Sequence, residues 1–252
     1  MISRKFVSML ALAMLIAATG QAQTVDQIIA KNFEAKGGLD KLRAVESMKL
    51  TGSMTMGPME APFTLLSKRP SMLRIDFTIQ GMTGTQGFDG TTAWSLMPFM
   101  GKTDPEIMPE AMAKDFRQQA DFDGPLVDWK DKGHQVELVG EEELEGTPVY
   151  KLKLTLKEGD ETMLYLDKDS YLEIKSTSKR TVNDQELQFE TSLGDYKEVG
   201  GILVPHSIES GAAGTPMRQV ISIESVELNP SIDGASFSMP ELTRDKPAAE
   251  AD

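Results

Sequence analysis

Cysteine is absent from the 252 residues, so the chain can build no disulfide, no thiolate nucleophile and no thiolate metal site. Histidine is nearly absent. His134 and His206 lie far apart with no metal motif around them, and each is expected to be structural or exposed. Basic charge is scarce: 26 Lys and Arg stand against 39 Asp and Glu, for a net charge of −13. That balance argues against nucleic-acid binding and against adsorption to anionic headgroups, because both need a positive surface. It also keeps the protein soluble. After the first residues no long apolar run occurs, so no further membrane-spanning helix is expected.

Catalytic patterns are missing as well. There is no Gly-x-Ser-x-Gly elbow and no phosphate-binding glycine loop. Ser176 and Lys179 have the Ser-x-x-Lys spacing, but on a strand residues three apart point to opposite faces. Asp167, Asp169 and Glu173 resemble a calcium loop only loosely. Leu172 and Ser178 stand where that loop needs glycine and an acid, so a turn between strands accounts for the run. Asp121 and Asp123, beside Gly124 and Pro125, read as turn formers. The sequence therefore predicts no catalytic residue, no metal site, no cofactor and no enzyme.

What the chain does have is alternation. Met48, Leu50, Met54 and Met56 fall on one side of a strand, with Lys49, Thr51, Ser53 and Thr55 on the other. Leu73, Ile75, Phe77 and Ile79 alternate with Arg74, Asp76 and Thr78, and Tyr150, Leu152, Leu154 and Leu156 with Lys151, Lys153, Thr155 and Lys157. Period-two patterning marks half-buried antiparallel strands. Strands are predicted near 46–57, 60–68, 71–79, 82–88 and 92–97, then near 135–143, 150–156, 161–167, 171–181, 186–196, 202–210 and 216–228. Asp89-Gly90 supplies a hairpin turn. Short connections make the sheet antiparallel, and its width makes it curl. The expected fold is mainly β: a strongly curved, open antiparallel barrel of about eleven strands, with an N-terminal helix and a helical lid.

The helix comes from Val25, Ile28, Ile29 and Phe33 at helical spacing, with Thr24 or Asp26 as cap and Gly37-Gly38 as stop. The lid comes from residues 98–134, where four prolines break the β pattern and Ile107, Met108, Met112 and Phe116 form a stripe near a helix at 109–119. Residues 1–22 read as an export signal, with Arg4 and Lys5 before an apolar run and cleavage near Ala22. The reading is then one domain over 23–240 and a disordered tail over 241–252, rich in charge, alanine and proline. The product is a periplasmic monomer.

Of the 16 methionines, Met48, Met54 and Met56 lie on the apolar side of the first strand, and Met82, Met97, Met100, Met108 and Met112 follow closely. Methionine is flexible and polarizable, and fits guests of varied shape as readily as it fills a core. The candidate apolar cavity is lined by Met54, Met56, Phe77, Trp94, Met97, Met112 and Phe116. Trp94 reads first as a core anchor and second as part of that lining.

Between Lys68 and Gly101 the chain carries Arg69-Pro70 followed by Arg74, Asp89-Gly90 followed by Trp94, and Pro98 four residues on. This arrangement resembles the LolA-like family of periplasmic lipoprotein carriers. The segments Gly37 to Leu42, Ala120 to Leu126 and Asp195 to Val199, with Phe237 to Pro240 near the end, are similar to an outer-membrane lipoprotein-sorting branch of that family. The resemblance implies a half-barrel whose cavity takes lipid or lipoprotein acyl chains. It also implies an inner-membrane ABC-type release complex as donor and an outer-membrane acceptor. Arg74 matches the family arginine that latches the lid through its backbone. Its place between Leu73 and Ile75 reads instead as a charge on the polar side of the strand. A sensor or protein-interaction module of the same fold is the alternative, and an envelope-lipid hydrolase a more remote one.

Overall fold

A computed structural model describes residues 23–182 and 185–241. The export signal expected over 1–22, and all but the first residue of the tail expected over 241–252, lie outside the described residues. The chain begins with α1 (Val25–Ala35) and α2 (Leu39–Arg43), followed by β1 (Ser47–Met56), β2 (Met59–Lys68), β3 (Met72–Ile79), β4 (Met82–Phe88), β5 (Ala93–Met97) and β6 (Lys102–Ile107). After α3 (Glu110–Gln119) come β7 (Gln135–Leu144), β8 (Thr147–Thr155), β9 (Glu161–Asp167), β10 (Glu173–Val182), β11 (Gln185–Val199), β12 (Ile202–Ala212) and β13 (Gln219–Leu228). Thr24 caps α1 through a reciprocal pair: Gln27 N–H donates to its hydroxyl, and its own N–H donates to the Gln27 side chain.

The sheet is mainly antiparallel meander, as alternation predicts, with thirteen strands among the described residues, one more than the twelve stretches read from the sequence. The strand absent from the sequence reading is β6, hidden by Pro105. Proline is tolerated there because β6 is an edge strand, where one row of ladder donors is unused. The strand order runs from β6 down to β1, then β13 down to β7. The first and last strands thus meet in mid-sheet, and β6 and β7 form the two edges. The segment between those edges, 108–134, must cross the whole sheet.

That crossing proves the curvature. Nine inter-strand steps separate β5 from β9 in this order, about 43 Å if the sheet were flat. Yet α3, ten residues long and so about 15 Å, touches both. Its Ala113, Phe116 and Ala120 pack on Leu73, Phe88 and Ala93 of β3–β5, while Lys114 and Gln118 bond to Asp160 at the start of β9. The sheet folds back on itself as a half-barrel with α3 across its opening.

Cross-strand partners share a face, and the register carries one face through all thirteen strands. On that inner face α1 packs Ile28 and Ile29 against Val136, Tyr150, Leu152, Leu154, Leu164 and Leu166. A smaller cluster joins Val45 to Ile202 and Val204. The outer face of β1–β5 is covered too. Ser47 and Lys68 donate to the carbonyls of Pro230 and Ile232, which carries the chain after β13 across these strands to a 3-10 turn at Gly234–Phe237.

Candidate functional site

A cavity of about 620 Å³ lies between α1, α3, the 121–126 segment and the inner face of β8–β10. Its apolar wall is formed by Phe33, Leu126, Leu154, Leu156 and Leu164. Deep in it sit two charged residues, Lys36 just past α1 and Glu173 at the start of β10. Burial pushes the Lys36 ammonium below its ordinary value, against the attraction of Glu173. Burial likewise pushes the Glu173 carboxyl above its ordinary value, against the pull of Lys36 and a hydrogen bond from Ser176. Both side chains keep some exposed surface because they face the cavity rather than packed core. Beside them the Tyr196 hydroxyl donates to the Glu173 carbonyl at 2.6 Å; burial raises that phenol's pKa.

Glu173 faces inward because of a bulge. It pairs with Leu166, whereas Lys175 pairs with Tyr165 on the other face, so two residues that simple alternation would place together are separated. Ser176 points inward into the cavity, and Lys179 pairs outward with Glu186 at 2.6 Å, as strand geometry requires. His134 lines the cavity and its Nδ1 accepts from the Lys157 N–H at 3.0 Å. His206 is buried and bonds the Val204 carbonyl through Nδ1 at 2.9 Å.

The covering segment is held by polar ties. Lys114 reaches Asp160 at 2.6 Å, Lys132 reaches Asp121 at 2.6 Å, Arg43 reaches Asp128 at 2.6 Å and Lys130 reaches Asp26 at 2.9 Å. Arg69 makes the most connected tie. Its guanidinium donates to Asp123 and to the carbonyls of Val45 (2.6 Å) and Leu42 (3.1 Å), and lies over the Phe122 ring at 4.8 Å. Asp121 and Asp123, expected as plain turn formers, are thus also anchors of the lid.

The sequence-predicted residues separate into groups. Met54, Met56, Phe77 and Met97 share the inner face on β1, β3 and β5. Phe77 stacks obliquely on Phe99, ring centres 5.7 Å apart, over Gly84. A Cβ on Gly84 would lie 2.6 Å from the Phe99 ring, so glycine makes room for the pair. Phe116 is buried as core between α3 and β3–β5, while Met112 lies at the edge of that stripe and is 52% exposed. None of these residues lines the 620 Å³ cavity.

Of the two readings open for each, Trp94 takes the core anchor rather than the cavity lining, and Arg74 the polar face of its strand rather than the lid latch. Trp94 pairs with Gly87 on the outer face, is fully buried, and donates from Nε1 to the Phe237 carbonyl at 2.8 Å. A Cβ on Gly87 would lie 2.4 Å from its indole. Arg74 is also outward, bonded to Asp76 and donating to the Ser236 carbonyl at 2.9 Å. Both anchor the C-terminal segment against the outer face. The arginine tied to the lid is Arg69, five residues earlier in the same motif.

No family model matches the chain, and no curated protein matches it. Solved structures do match. A DUF1329 family protein from Desulfovibrio piger superposes with a TM-score of 0.61 at 14% identity, over 86% of this chain and 98% of that one. A LolA superfamily protein from Nitrosomonas europaea gives 0.57 at 14% identity, over 86% and 98%. An outer membrane lipoprotein-sorting protein domain from Vibrio parahaemolyticus gives 0.53 at 11% identity, over 83% and 97%. The chain has the LolA-like fold.

Proposed function

We propose that the protein is a periplasmic, non-enzymatic carrier that holds acyl chains of lipoproteins or other lipids for transfer toward the outer membrane. The observation that carries this reading is the unfilled cavity, walled in part by leucines, between the inner face and a lid held by apolar packing of α3 and by polar ties. Side chains of the protein itself fill the rest of the inner face near α1 and α3 but leave this space open. The methionine-rich stretch of β1 and β5 offers a second adaptable apolar surface on the same face. An acyl chain burying ~14 methylenes gains up to ~11 kcal/mol at ~0.8 kcal/mol each, less the cost of ordering it. Retention that strong makes release depend on opening the lid. An inner-membrane ABC-type complex as donor and an outer-membrane acceptor fit that need, with the carrier acting as a monomer.

The test is native mass spectrometry of the protein exported and purified without detergent, before and after exposure to envelope lipid extract. Adducts of acyl-chain mass that exchange with added lipid are expected. A protein that emerges bare and takes up nothing overturns the reading.

A further inference from the structure

The Lys36 ammonium is a cation with no local partner. Among the described residues no hydrogen bond or ion pair reaches it, only the longer-range attraction of Glu173. The other cations lining the cavity are accounted for. Lys114 is held by Asp160, Lys132 by Asp121 and Arg117 by Glu110, while Lys157 stands exposed to water. An ammonium this deep is costly unless something supplies acceptor oxygens. Leu154, Leu156, Leu164 and Phe33 line the same cavity and give it a hydrocarbon wall that suits an apolar chain.

We propose that the cavity binds a single-chain carboxylate amphiphile, a long-chain fatty acid, with its head on Lys36 and Glu173 and its chain along the leucine wall. This rests on the carrier reading and names the head group that the same cavity selects. The size agrees: 620 Å³ falls in the ~300–1,000 Å³ range of sites for one small molecule. The charge agrees as well. One ammonium balances one carboxylate, whereas the second charge of a dianionic phosphate would find no cation to balance it there. Burial favours a proton on Glu173, which lets its O–H donate to one carboxylate oxygen while Lys36 donates to the other. Ser176, already bonded to Glu173, holds that carboxyl in place.

The experiment compares palmitate with its methyl ester on lipid-stripped protein by titration calorimetry, for the unaltered chain, Lys36→Met and Lys36→Arg. Palmitate is expected to bind at least about tenfold tighter than the ester, since charged hydrogen bonds are at stake. Lys36→Met is expected to erase that preference while leaving ester binding as it was, and Lys36→Arg to keep it. Circular dichroism verifies that the variants are folded. If Lys36→Met is unfolded, the comparison of palmitate with ester on the unaltered chain decides alone. Equal binding of the two ligands, or a preference that survives Lys36→Met, overturns the head-group assignment and leaves acyl carriage standing. Failure of both ligands to bind overturns the carrier reading with it.

Discussion

Arg69 donates to Asp123 while also holding the carbonyls of Leu42 and Val45. One guanidinium therefore joins the turn before β3 to α2 on one side and to the lid on the other. The pair is mostly shielded, with side chains 18% and 25% exposed. It is consequently worth more than the more exposed ties around it. Opening the lid from this end means releasing Arg69.

Arg69→Ala is expected to destabilise the protein by about 2–3 kcal/mol, through lost charge-assisted bonds and two carbonyls left short of a donor. Arg69→Lys should recover little, because a point charge cannot serve three acceptors in a planar fork. Urea unfolding measures the stability. Hydrogen exchange should show faster exchange over 120–126, and lipid adducts should exchange faster.

Trp94→Phe is expected to cost about 1 kcal/mol, the single bond to the Phe237 carbonyl. Trp94→Ala should cost about 3–5 kcal/mol for the cavity it leaves. Lipid uptake by the folded Trp94→Phe variant should match the unaltered protein, because the indole lies on the outer face. Reduced uptake would mean that the outer strap communicates with the cavity.

Replacing Met54, Met56 and Met97 together by glutamine tests the methionine stretch. These side chains keep partial exposure, so the fold is expected to survive with a modest loss of stability. Uptake of longer acyl chains should fall more than uptake of short ones. Unchanged uptake across chain lengths would confine binding to the leucine-walled cavity.

Acid should loosen the lid in two stages. Burial, then the Lys132 charge, hold His134 below its ordinary value of 6.5, with Asp121 opposing. Neutral, it accepts the Lys157 N–H. Its contribution is complete above the unfolded value and is lost as pH falls through the lower folded one. Asp160 is held below the ordinary carboxylate value first by its bond from Lys114, so its tie to α3 persists to still lower pH. Hydrogen exchange across a pH series, corrected for intrinsic rates, is expected to show exposure at 132–134 and 157 before α3. Simultaneous release would refute the order.

Alternation made most strands legible, because one face of this sheet is apolar and the other largely wet. It misled at β5. There the outer face is covered by the chain after β13, so Trp94 and Leu96 are as sheltered as Ala93 and Met97 across the strand, and parity cannot say which side is the cavity. It could not place Glu173, since one bulge reverses the residue's direction without any glycine or proline to announce it. Arg69 stood in the motif, but its role as a tie was not legible for a different reason. It belongs to a turn, where no periodicity applies, and its partners lie 24 to 54 positions away in sequence. Nothing in the sequence sets Lys36 apart from other surface charges; only the path of α3 and the 121–126 segment makes it an interior cation.

The pairing of β1 with β13 sets a condition on assembly. Until residues near Gln219 to Leu228 have emerged, β1 and β12 each expose a row of unanswered amides and carbonyls at what will become the centre of the sheet. A nascent or truncated chain is thus sticky along its middle rather than its margins. A molecule stopped short of β13 should recruit the matching strand from a sister copy, so the arrival of β13 decides whether the sheet closes on itself or joins another.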